Sequence, residues 1–286
     1  MTRALLSVTV PITLMLMAQS PRLGGGGVRP GTFPTRWITG GPECTEIPDW
    51  QVHAYNEDFF ILRQSGCMHY EKPFLYLVFG KERALLEDTG AGSSNAARVV
   101  GRIIAQWCAL KNRTSIPLIV AHSHAHDDHV AGDLGFRDMP NVTMVPLTVE
   151  GTREFFKIHK WPEGAGQIDL GERILEVVPI PGHETLAIAV YDRQTGILLT
   201  GDNLYPGRLY VSDFPDFVRS TARLVEFTRG KVVAHVLGTH IEQMSTPYQD
   251  YPVGTRYQPE EHELALSRAH LLELEDALES MNGKPK

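Results

Sequence analysis

A dense cluster of histidine and aspartate residues directly follows an apolar segment in the first half of the chain. Residues 116–121 are almost entirely apolar and have the length of a buried strand. The next eight positions, 122–129, hold four histidines and two aspartates. Imidazole and carboxylate groups are the ligands that hold Zn²⁺ and similar ions, so this segment predicts a metal-binding loop at the end of a buried strand.

The spacing within this cluster predicts how its side chains are directed. His124 and His126 are two residues apart, so both rings leave the same face of an extended segment. Asp128 and His129 follow at once, and a helix that begins there would direct them to a neighbouring position. One loop could therefore supply two adjacent metal ions. A solvated polar loop is the alternative, but such a concentration of histidine is rare.

Three isolated candidates lie further along the chain, each after a predicted strand and close to a glycine. A single histidine or aspartate in such a place is weak evidence of function. Three of them, with glycines that allow close approach of the backbone, form a stronger set. The candidates are His183 after residues 174–180, Asp202 after residues 197–200, and His240 after residues 232–237.

The rest of the pattern predicts an α/β protein. Residues 50–87 contain short apolar runs punctuated by glycine, which is typical of hairpins, and strands then alternate with helices. This order indicates two packed sheets with helices outside. Helices are predicted over residues 93–110, 149–159, 217–227 and 260–278.

These motifs together resemble the metallo-β-lactamase superfamily of hydrolases. Asp88, in the segment Leu86-Glu87-Asp88-Thr89-Gly90, matches the family's early aspartate. The resemblance covers roughly residues 59–240 and implies a four-layer αββα sandwich. The family's H-x-H-x-D-H signature stands here as His124, His126, Asp128 and His129, and its later motifs stand as His183, Asp202 and His240.

The resemblance also implies two zinc ions per chain and a division of the ligands between them. Mixed histidine and aspartate ligation suits Zn²⁺ best, with Mn²⁺ or iron as alternatives. Asp88 would steady the histidine-rich loop without binding metal. His124, His126 and His183 would bind the first ion, Asp128, His129 and His240 would bind the second, and Asp202 would bridge both.

Such a site predicts a metal-dependent hydrolase. Two neighbouring metal ions lower the pKa of a shared water, and the resulting hydroxide attacks a polarised carbonyl. Asp128 is the predicted catalytic residue, because it can accept a hydrogen bond from the nucleophile. The expected substrate is a small molecule with an ester, lactone, thioester or amide bond. Tyr205, Arg208 and Tyr210, which follow Asp202 in the chain, are candidate substrate contacts.

Two alternatives to this hydrolase prediction stay open. Asp202 resembles the bridging residue of glyoxalase II, lactonases and related esterases, whereas typical β-lactamases of the family differ there. A periplasmic β-lactamase is the first alternative, because the sequence predicts export. An iron-dependent oxygenase that resembles persulfide dioxygenases is the second, although it would not need Asp128, His129 and His240.

The first residues of the chain predict this export. Arg3, an apolar stretch over residues 4–18 and the small residues near Ala18 follow the pattern of a signal peptide over residues 1–20. Residues 21–36 are rich in glycine and proline and predict a flexible tether, followed by a single domain over residues 37–286. The predicted location is periplasmic or secreted, without attachment to a membrane after cleavage.

Charge and cysteine content narrow the range of partners. The net charge is -7 and the chain has no run of lysine or arginine, which argues against nucleic-acid binding.

Cys44 and Cys67 flank one predicted strand region and could form a disulfide in an oxidising compartment. Spacing alone leaves that pairing open. Cys108 is expected to be a buried thiol on an amphipathic helix. The sequence does not indicate an oligomeric state.

Overall fold

Two six-stranded β-sheets packed face to face form the centre of the computed structural model, which describes residues 27–44 and 47–283. Helices cover the outer face of each sheet. The predicted α/β fold, a four-layer αββα sandwich, is therefore confirmed. Large apolar side chains from both sheets, among them Phe59, Tyr76 and Leu237, fill the space between them.

The first sheet contains β1 (Trp50–Asn56), β2 (Phe59–Gln64), β3 (Phe74–Phe79), β4 (Ala84–Glu87), β5 (Leu118–Ala121) and β6 (Val142–Met144). Its strands lie in the same order as in the chain. The first four pair antiparallel, and β5 and β6 are added parallel to β4. Strand β3 is buried at every position, which explains its uninterrupted apolar sequence.

The second sheet contains β7 (Gly166–Asp169), β8 (Ile174–Pro179), β9 (Ile188–Asp192), β10 (Ile197–Gly201), β11 (His235–Gly238) and β12 (Ala265–Leu266). These strands also lie in chain order across the sheet. All neighbours pair antiparallel except β10 and β11, which are parallel. The two parallel strands therefore end at the same edge of the sheet.

The helices are α1 (Ala96–Leu110), α2 (Asp127–Val130), α3 (Asp133–Arg137), α4 (Val149–Phe155), α5 (Phe214–Phe227) and α6 (Arg268–Ser280). Val100 and Trp107 of α1 pack with Phe136 of α3 on the first sheet. Leu224 of α5 and Leu271 of α6 pack on the second sheet. Helices α1, α4 and α5 lie within or close to the predicted ranges, because their apolar residues recur with the helical period.

The prediction of a helix over residues 260–278 is wrong in its first part. Leu264 packs between the sheets, whereas Leu266 packs on the outer face of the second sheet, which is the alternation of a strand. Glu261 instead forms a buried ion pair with Arg63 of β2. Helix α6 begins only after Ser267, which caps it. Leucine recurs throughout this segment, so the sequence pattern does not show where the strand period changes to the helical period.

Of the predicted tether over residues 21–36, the structure describes residues 27–36, which contact the domain at several points. Residues 21–26 lie outside the described residues, and the flexible tether stays a prediction. The Thr32 N–H donates a 2.9 Å hydrogen bond to the Tyr55 carbonyl. Phe33 packs edge-on against His235, with ring centroids 4.8 Å apart. A Cβ added at Gly31 would come within 2.2 Å of the Tyr55 carbonyl oxygen, so a glycine is needed for this close approach. At Gly31, therefore, the glycine serves close packing against β1.

A disulfide joins Cys44 to Cys67, with Cα atoms 5.5 Å apart. The expected buried thiol is found at Cys108, on the packed face of α1. The predicted signal peptide over residues 1–20 lies outside the described residues, and it stays a prediction. Among the residues that the structure describes, no helix combines the length and apolar character needed to span a membrane.

Candidate metal centre

Strand ends from both sheets meet at one place and carry the predicted ligands. From the first sheet, β5 leads into the histidine cluster, and α2 begins within the cluster as the spacing predicted. From the second sheet, β8, β10 and β11 lead to the three isolated candidates. The structure brings together all seven predicted ligands, namely His124, His126, Asp128, His129, His183, Asp202 and His240.

His124, His126 and His183 form one candidate group. The Nδ1 atom of His126 lies 3.0 Å from Nε2 of each of the other two rings, whose Nε2 atoms are 3.2 Å apart. Nitrogens bound to one tetrahedral zinc ion at about 2.0–2.1 Å would lie about 3.3 Å apart. The group therefore has the spacing of three ligands to one ion. His124 and His183 are buried, whereas His126 is exposed.

Asp128, His129 and His240 form a second candidate group. One carboxylate oxygen of Asp128 lies 3.2 Å from Nε2 of His129 and 3.2 Å from Nε2 of His240. The two ring nitrogens are 3.4 Å apart. Both histidines are buried, and Asp128 is partly exposed to the cleft. These distances again match the edges of a tetrahedron around one ion.

Asp202 lies between the two groups. Its Oδ1 atom is 3.7 Å from Nε2 of His129 and 3.4 Å from Nε2 of His240. Its Oδ2 atom is 3.5 Å from Nε2 of His183 and 3.9 Å from Nε2 of His124. One carboxylate oxygen thus faces each group, as a bridging ligand requires.

In four of the five candidate histidines, Nε2 faces the other candidate ligands, and Nδ1 on the opposite side of the ring forms a hydrogen bond that orients the ring. Carbonyl and carboxylate oxygens only accept, so the rings bound to them carry a proton on Nδ1 and leave Nε2 as the atom that can bind a metal ion. The Ser123 hydroxyl donates to Asp88, so it accepts from His124. His124 Nδ1 lies 3.1 Å from Ser123 Oγ, and His129 Nδ1 lies 2.8 Å from Asp88 Oδ2. His183 Nδ1 lies 2.6 Å from the Tyr210 carbonyl, and His240 Nδ1 lies 2.9 Å from the Glu71 carbonyl.

This protonation pattern tests whether the residues fit a metal ion. The lone pairs of His124 and His183 face each other across 3.2 Å and cannot form a hydrogen bond. Burial and the charge of His129 hold the pKa of His124 well below its usual range. Burial also lowers the pKa of His183. Neutral imidazoles that converge in this way fit a divalent cation, and nitrogen with carboxylate oxygen is a donor set typical of zinc.

The second group is charged before any metal binds. Burial opposes protonation of His240, but the charges of Asp202 and Asp128 raise its pKa to about 9. Burial likewise opposes protonation of His129, whose pKa the Asp88 charge raises well above its usual range. Burial also opposes ionisation of Asp202, yet His240 and His129 hold its pKa well below the usual value. A cation entering this group would therefore displace protons.

Asp88 holds the histidine cluster in place. Its buried carboxylate accepts hydrogen bonds from the Ser123 N–H at 2.7 Å, the Ser123 hydroxyl at 2.8 Å and the His129 ring at 2.8 Å. The Thr239 hydroxyl similarly donates to Asp202. Sequence reasoning missed Ser123 and Thr239, although each is adjacent in sequence to a ligand. The carbonyl of Glu71 gave no sequence signal, because any residue could supply it.

Two other polar residues close to the ligands in sequence have structural contacts. His122 joins neither group, and its Nε2 atom instead lies 2.8 Å from the Asp133 carboxylate. Glu184 accepts a 2.8 Å hydrogen bond from the Leu186 N–H and so caps the loop after His183. Proximity in sequence therefore does not by itself identify a ligand.

The three candidate substrate contacts differ in accessibility. Tyr210 is 50% exposed, and its carbonyl holds His183. Tyr205 is buried, and its hydroxyl donates to the Arg208 carbonyl. The Arg208 guanidinium is paired with Glu242 at 3.0 Å. Tyr205 and Arg208 are thus engaged within the protein. Tyr210 is the most exposed of the three, although its hydroxyl accepts a 3.3 Å hydrogen bond from Arg208 Nε.

Tyr70, in the loop between β2 and β3, precedes Glu71 and is partly exposed. The hydrogen bond and charge of Glu71 raise the pKa of Tyr70 to about 12.

The four-layer sandwich and its paired histidine and aspartate groups define a class of metal-binding α/β proteins. The sequence profile of the Metallo-beta-lactamase superfamily matches residues 73–276, well over half of the chain. The chain therefore belongs to the metallo-β-lactamase superfamily of hydrolases, and the resemblance inferred from its motifs is confirmed.

Relatives identified by sequence are hydrolases. Acyl-coenzyme A thioesterase MBLAC2 of Bos taurus is 24% identical over 227 residues, which are 67% of this chain and 81% of that protein. The Homo sapiens protein of the same name is 23% identical over 227 residues, with the same coverage of both chains. Hydroxyacylglutathione hydrolase of Chelativorans sp. (strain BNC1) is 26% identical over 128 residues, 44% of this chain and 50% of that protein.

Solved structures of metallo-β-lactamases share the fold. The FIM-1 enzyme from Pseudomonas aeruginosa, in a mono-zinc form, aligns with a TM-score of 0.57 over 83% of this chain and 98% of its own, at 15% identity. The metallo-β-lactamase from Pontibacter korlensis aligns with a TM-score of 0.54 over 80% of this chain and 99% of its own, at 17% identity. At such identities the likeness concerns the fold alone.

Proposed function

We propose that this chain is a zinc-dependent hydrolase that uses two adjacent metal ions to cleave a thioester, or a related ester, lactone or amide bond, of a small molecule. The observation that carries the proposal is the position of Asp202, whose two carboxylate oxygens face different ligand groups. Each group alone would serve one ion. A carboxylate shared between them is what a pair of neighbouring ions needs.

The residues of the chain suggest how the reaction would be organised. Zinc ions held by the two groups and Asp202 would supply Lewis acidity and lower the pKa of a nearby water. Burial opposes ionisation of Asp128, but His129 and His240 hold its pKa well below the usual range. Asp128 is therefore ionised at neutral pH, and it can accept a hydrogen bond from that water and direct it at the substrate carbonyl.

The sequence relatives favour a thioester among the candidate bonds. They are named acyl-coenzyme A thioesterase and hydroxyacylglutathione hydrolase. An acyl group on coenzyme A or on glutathione is joined to sulfur, so both names refer to the same type of bond. Likeness to metallo-β-lactamases is found at 15–17% identity and supports no choice of substrate. A β-lactamase activity is therefore the alternative that the assay has to exclude.

A substrate panel with parallel metal analysis tests the proposal. Thioesters, esters, lactones, β-lactams and phosphoesters are incubated with zinc-loaded protein, and zinc and iron are measured per chain. We expect thiol release from a thioester as the fastest reaction, with two zinc ions bound. Faster turnover of β-lactams would favour the alternative substrate. One iron per chain with sulfur-dependent oxygen uptake would refute the hydrolase proposal.

Replacement of Asp128 tests its proposed role. Asp128→Ala should lower kcat by about 10²–10⁴-fold, because the group that orients the water is lost. Zinc binding to His124, His126 and His183 should persist, since none of these rings depends on Asp128. Asp127→Ala is the matched control, because the Asp127 side chain is exposed. A wild-type rate in Asp128→Ala would exclude the proposed geometry of attack.

We also propose that the enzyme acts in the periplasm or after secretion, on a small molecule and without a nucleic-acid or membrane partner. The predicted signal peptide and the net charge of -7 support this. Cell fractionation with N-terminal sequencing of the mature protein checks it, and we expect a first residue near position 21. Recovery of uncleaved protein in the cytoplasm would contradict the proposed location.

A further inference from the structure

The loop between β2 and β3, residues 65–73, connects the disulfide to the candidate metal centre, and we call it the hairpin loop. Cys67 at its beginning is bonded to Cys44. Four residues later, the Glu71 carbonyl accepts a 2.9 Å hydrogen bond from His240 Nδ1. The hairpin loop therefore supplies the contact that directs His240 Nε2 towards Asp128 and Asp202.

The segment on the other side of the disulfide is fixed to the first sheet. The Ile38 N–H donates to the Gln51 side chain at 2.6 Å, and that side chain donates back to the Ile38 carbonyl at 2.7 Å. Trp37 packs edge-on against Phe74, with ring centroids 5.1 Å apart. The disulfide thus ties the beginning of the hairpin loop to Cys44, six residues after Ile38, and the Cys44 N–H donates to the Gly41 carbonyl at 3.1 Å.

Noncovalent contacts hold the other parts of the hairpin loop. The Lys72 ammonium donates to the carbonyls of Tyr70 and Thr255 at 2.9 and 2.8 Å. At the beginning of the loop, the contact from the Arg256 side chain to the Cys67 carbonyl is long, at 3.4 Å. The N–H groups of Met68 and His69 donate to the Ser65 carbonyl at 3.0 and 3.1 Å, so the first turn of the loop moves as one unit with Cys67. The disulfide adds a covalent tie to a loop that is otherwise held only by hydrogen bonds and packing.

The first ligand group depends on none of these contacts. His124 is oriented by Ser123, and His183 is oriented by the Tyr210 carbonyl. Neither partner belongs to the hairpin loop. Loss of the disulfide should therefore affect the two groups unequally, which distinguishes a positioning role from general stabilisation of the fold.

We propose that the Cys44–Cys67 disulfide is a positioning element for the second metal position, and that it acts through the Glu71 carbonyl on His240. The inference rests on the proposed two-metal function. Loss of a hydrogen-bond partner behind a metal ligand typically weakens metal binding by about 10–100-fold. The second position would then bind zinc more tightly in an oxidising compartment, where the disulfide forms.

Stepwise zinc titration of the double variant Cys44→Ser/Cys67→Ser tests this inference. The protein is titrated against a chromophoric chelator, and cobalt spectra report the geometry of each position. We expect an unchanged first dissociation constant and a second one weakened by about 10–100-fold. Cys108→Ser is the matched control, because Cys108 is buried beneath the other face of the first sheet and is unpaired.

Equal second dissociation constants in the double variant and the wild type would overturn the inference and leave the proposed function intact. Binding of a single zinc ion by the wild type would overturn both, so the two failures are distinguishable. If the double variant does not fold, wild-type protein folded with the disulfide is titrated before and after its reduction by a phosphine. Thiol counting on the denatured protein should then give one thiol before reduction and three after.

Discussion

At the scale of single residues, the centre depends on groups that face away from the metal positions. Asp88 is fully buried and accepts three hydrogen bonds, two from Ser123 and one from His129. An acceptor on both oxygens is needed, because all three partners donate. This requirement explains why an acid stands here although it does not reach the cleft.

Asp88→Asn should therefore disturb the second metal position more than the first. The N–H groups of the new amide would face the donors of Ser123 and His129, and two donors cannot form a hydrogen bond with each other. Unsatisfied buried donors cost about 1–3 kcal/mol. We expect second-position zinc affinity to fall by about 10–100-fold, measured by stepwise titration. Asp127→Asn, in the exposed start of α2, should leave both affinities unchanged. Equal loss at both positions would contradict the assignment.

The seven candidate ligands that the structure brings together could be predicted from the sequence, whereas most of the groups that orient them could not. The cluster from His124 to His129 is conspicuous because several ligand-type residues lie together. Ser123 and Thr239 are ordinary polar residues, and the contribution of Glu71 comes from its backbone. Such roles depend on which surfaces meet in the fold, and a linear pattern does not contain that information.

At the scale of elements, a loop pressed against a helix positions His183. Gly182 has φ +138°, in a region that favours glycine, and its carbonyl accepts the N–H groups of Ser212 and Asp213 at 2.8 and 2.9 Å. A Cβ added there would lie 2.4 Å from the backbone of Phe217 in α5. The approach of this loop to α5 thus fixes where the strand end delivers its histidine.

Gly182→Ala should move His183 and weaken the first metal position. The strained conformation alone costs about 1–3 kcal/mol, and the clash with α5 adds to it. We expect a lower free energy of unfolding in denaturant titration and weaker zinc binding at the first position, measured as a larger dissociation constant. Gly230→Ala is the matched control, with φ +73° but no described atom within 4 Å of the added Cβ. Equal effects of both changes would contradict the proposed role of the contact with α5.

Periodicity predicted most elements but not the change from β12 to α6. Leucines at positions 264 and 266 continue into the leucines of the helix, and a helical pattern absorbs them. Leu264 packs between the sheets and Leu266 packs on the outer face of the second sheet. Both faces of this sheet are covered, so both positions are apolar and the sequence does not show the alternation. The buried pairing of Glu261 with Arg63, 198 residues away in the chain, has the same origin in long-range packing.

At the scale of the whole molecule, metal removal should destabilise the domain. The centre concentrates buried histidines and carboxylates whose pKa values are shifted by one another. Ions that bind only the folded state stabilise it, by about 4 kcal/mol when free zinc is about 1,000 times the dissociation constant. We expect a lower Tm in calorimetry after chelation and recovery with added zinc. An unchanged Tm in saturating zinc would contradict a folded-state site.

The candidate ligands come from both sheets, so the centre depends on how the two sheets are aligned. His124 to His129 come from the first sheet, whereas His183, Asp202 and His240 come from the second, and Nε2 atoms from opposite sheets approach to 3.2 Å. A small sliding of one sheet over the other would separate these atoms while each sheet kept its own ladders. Release of an ion would therefore report misalignment of the two halves before either half unfolds.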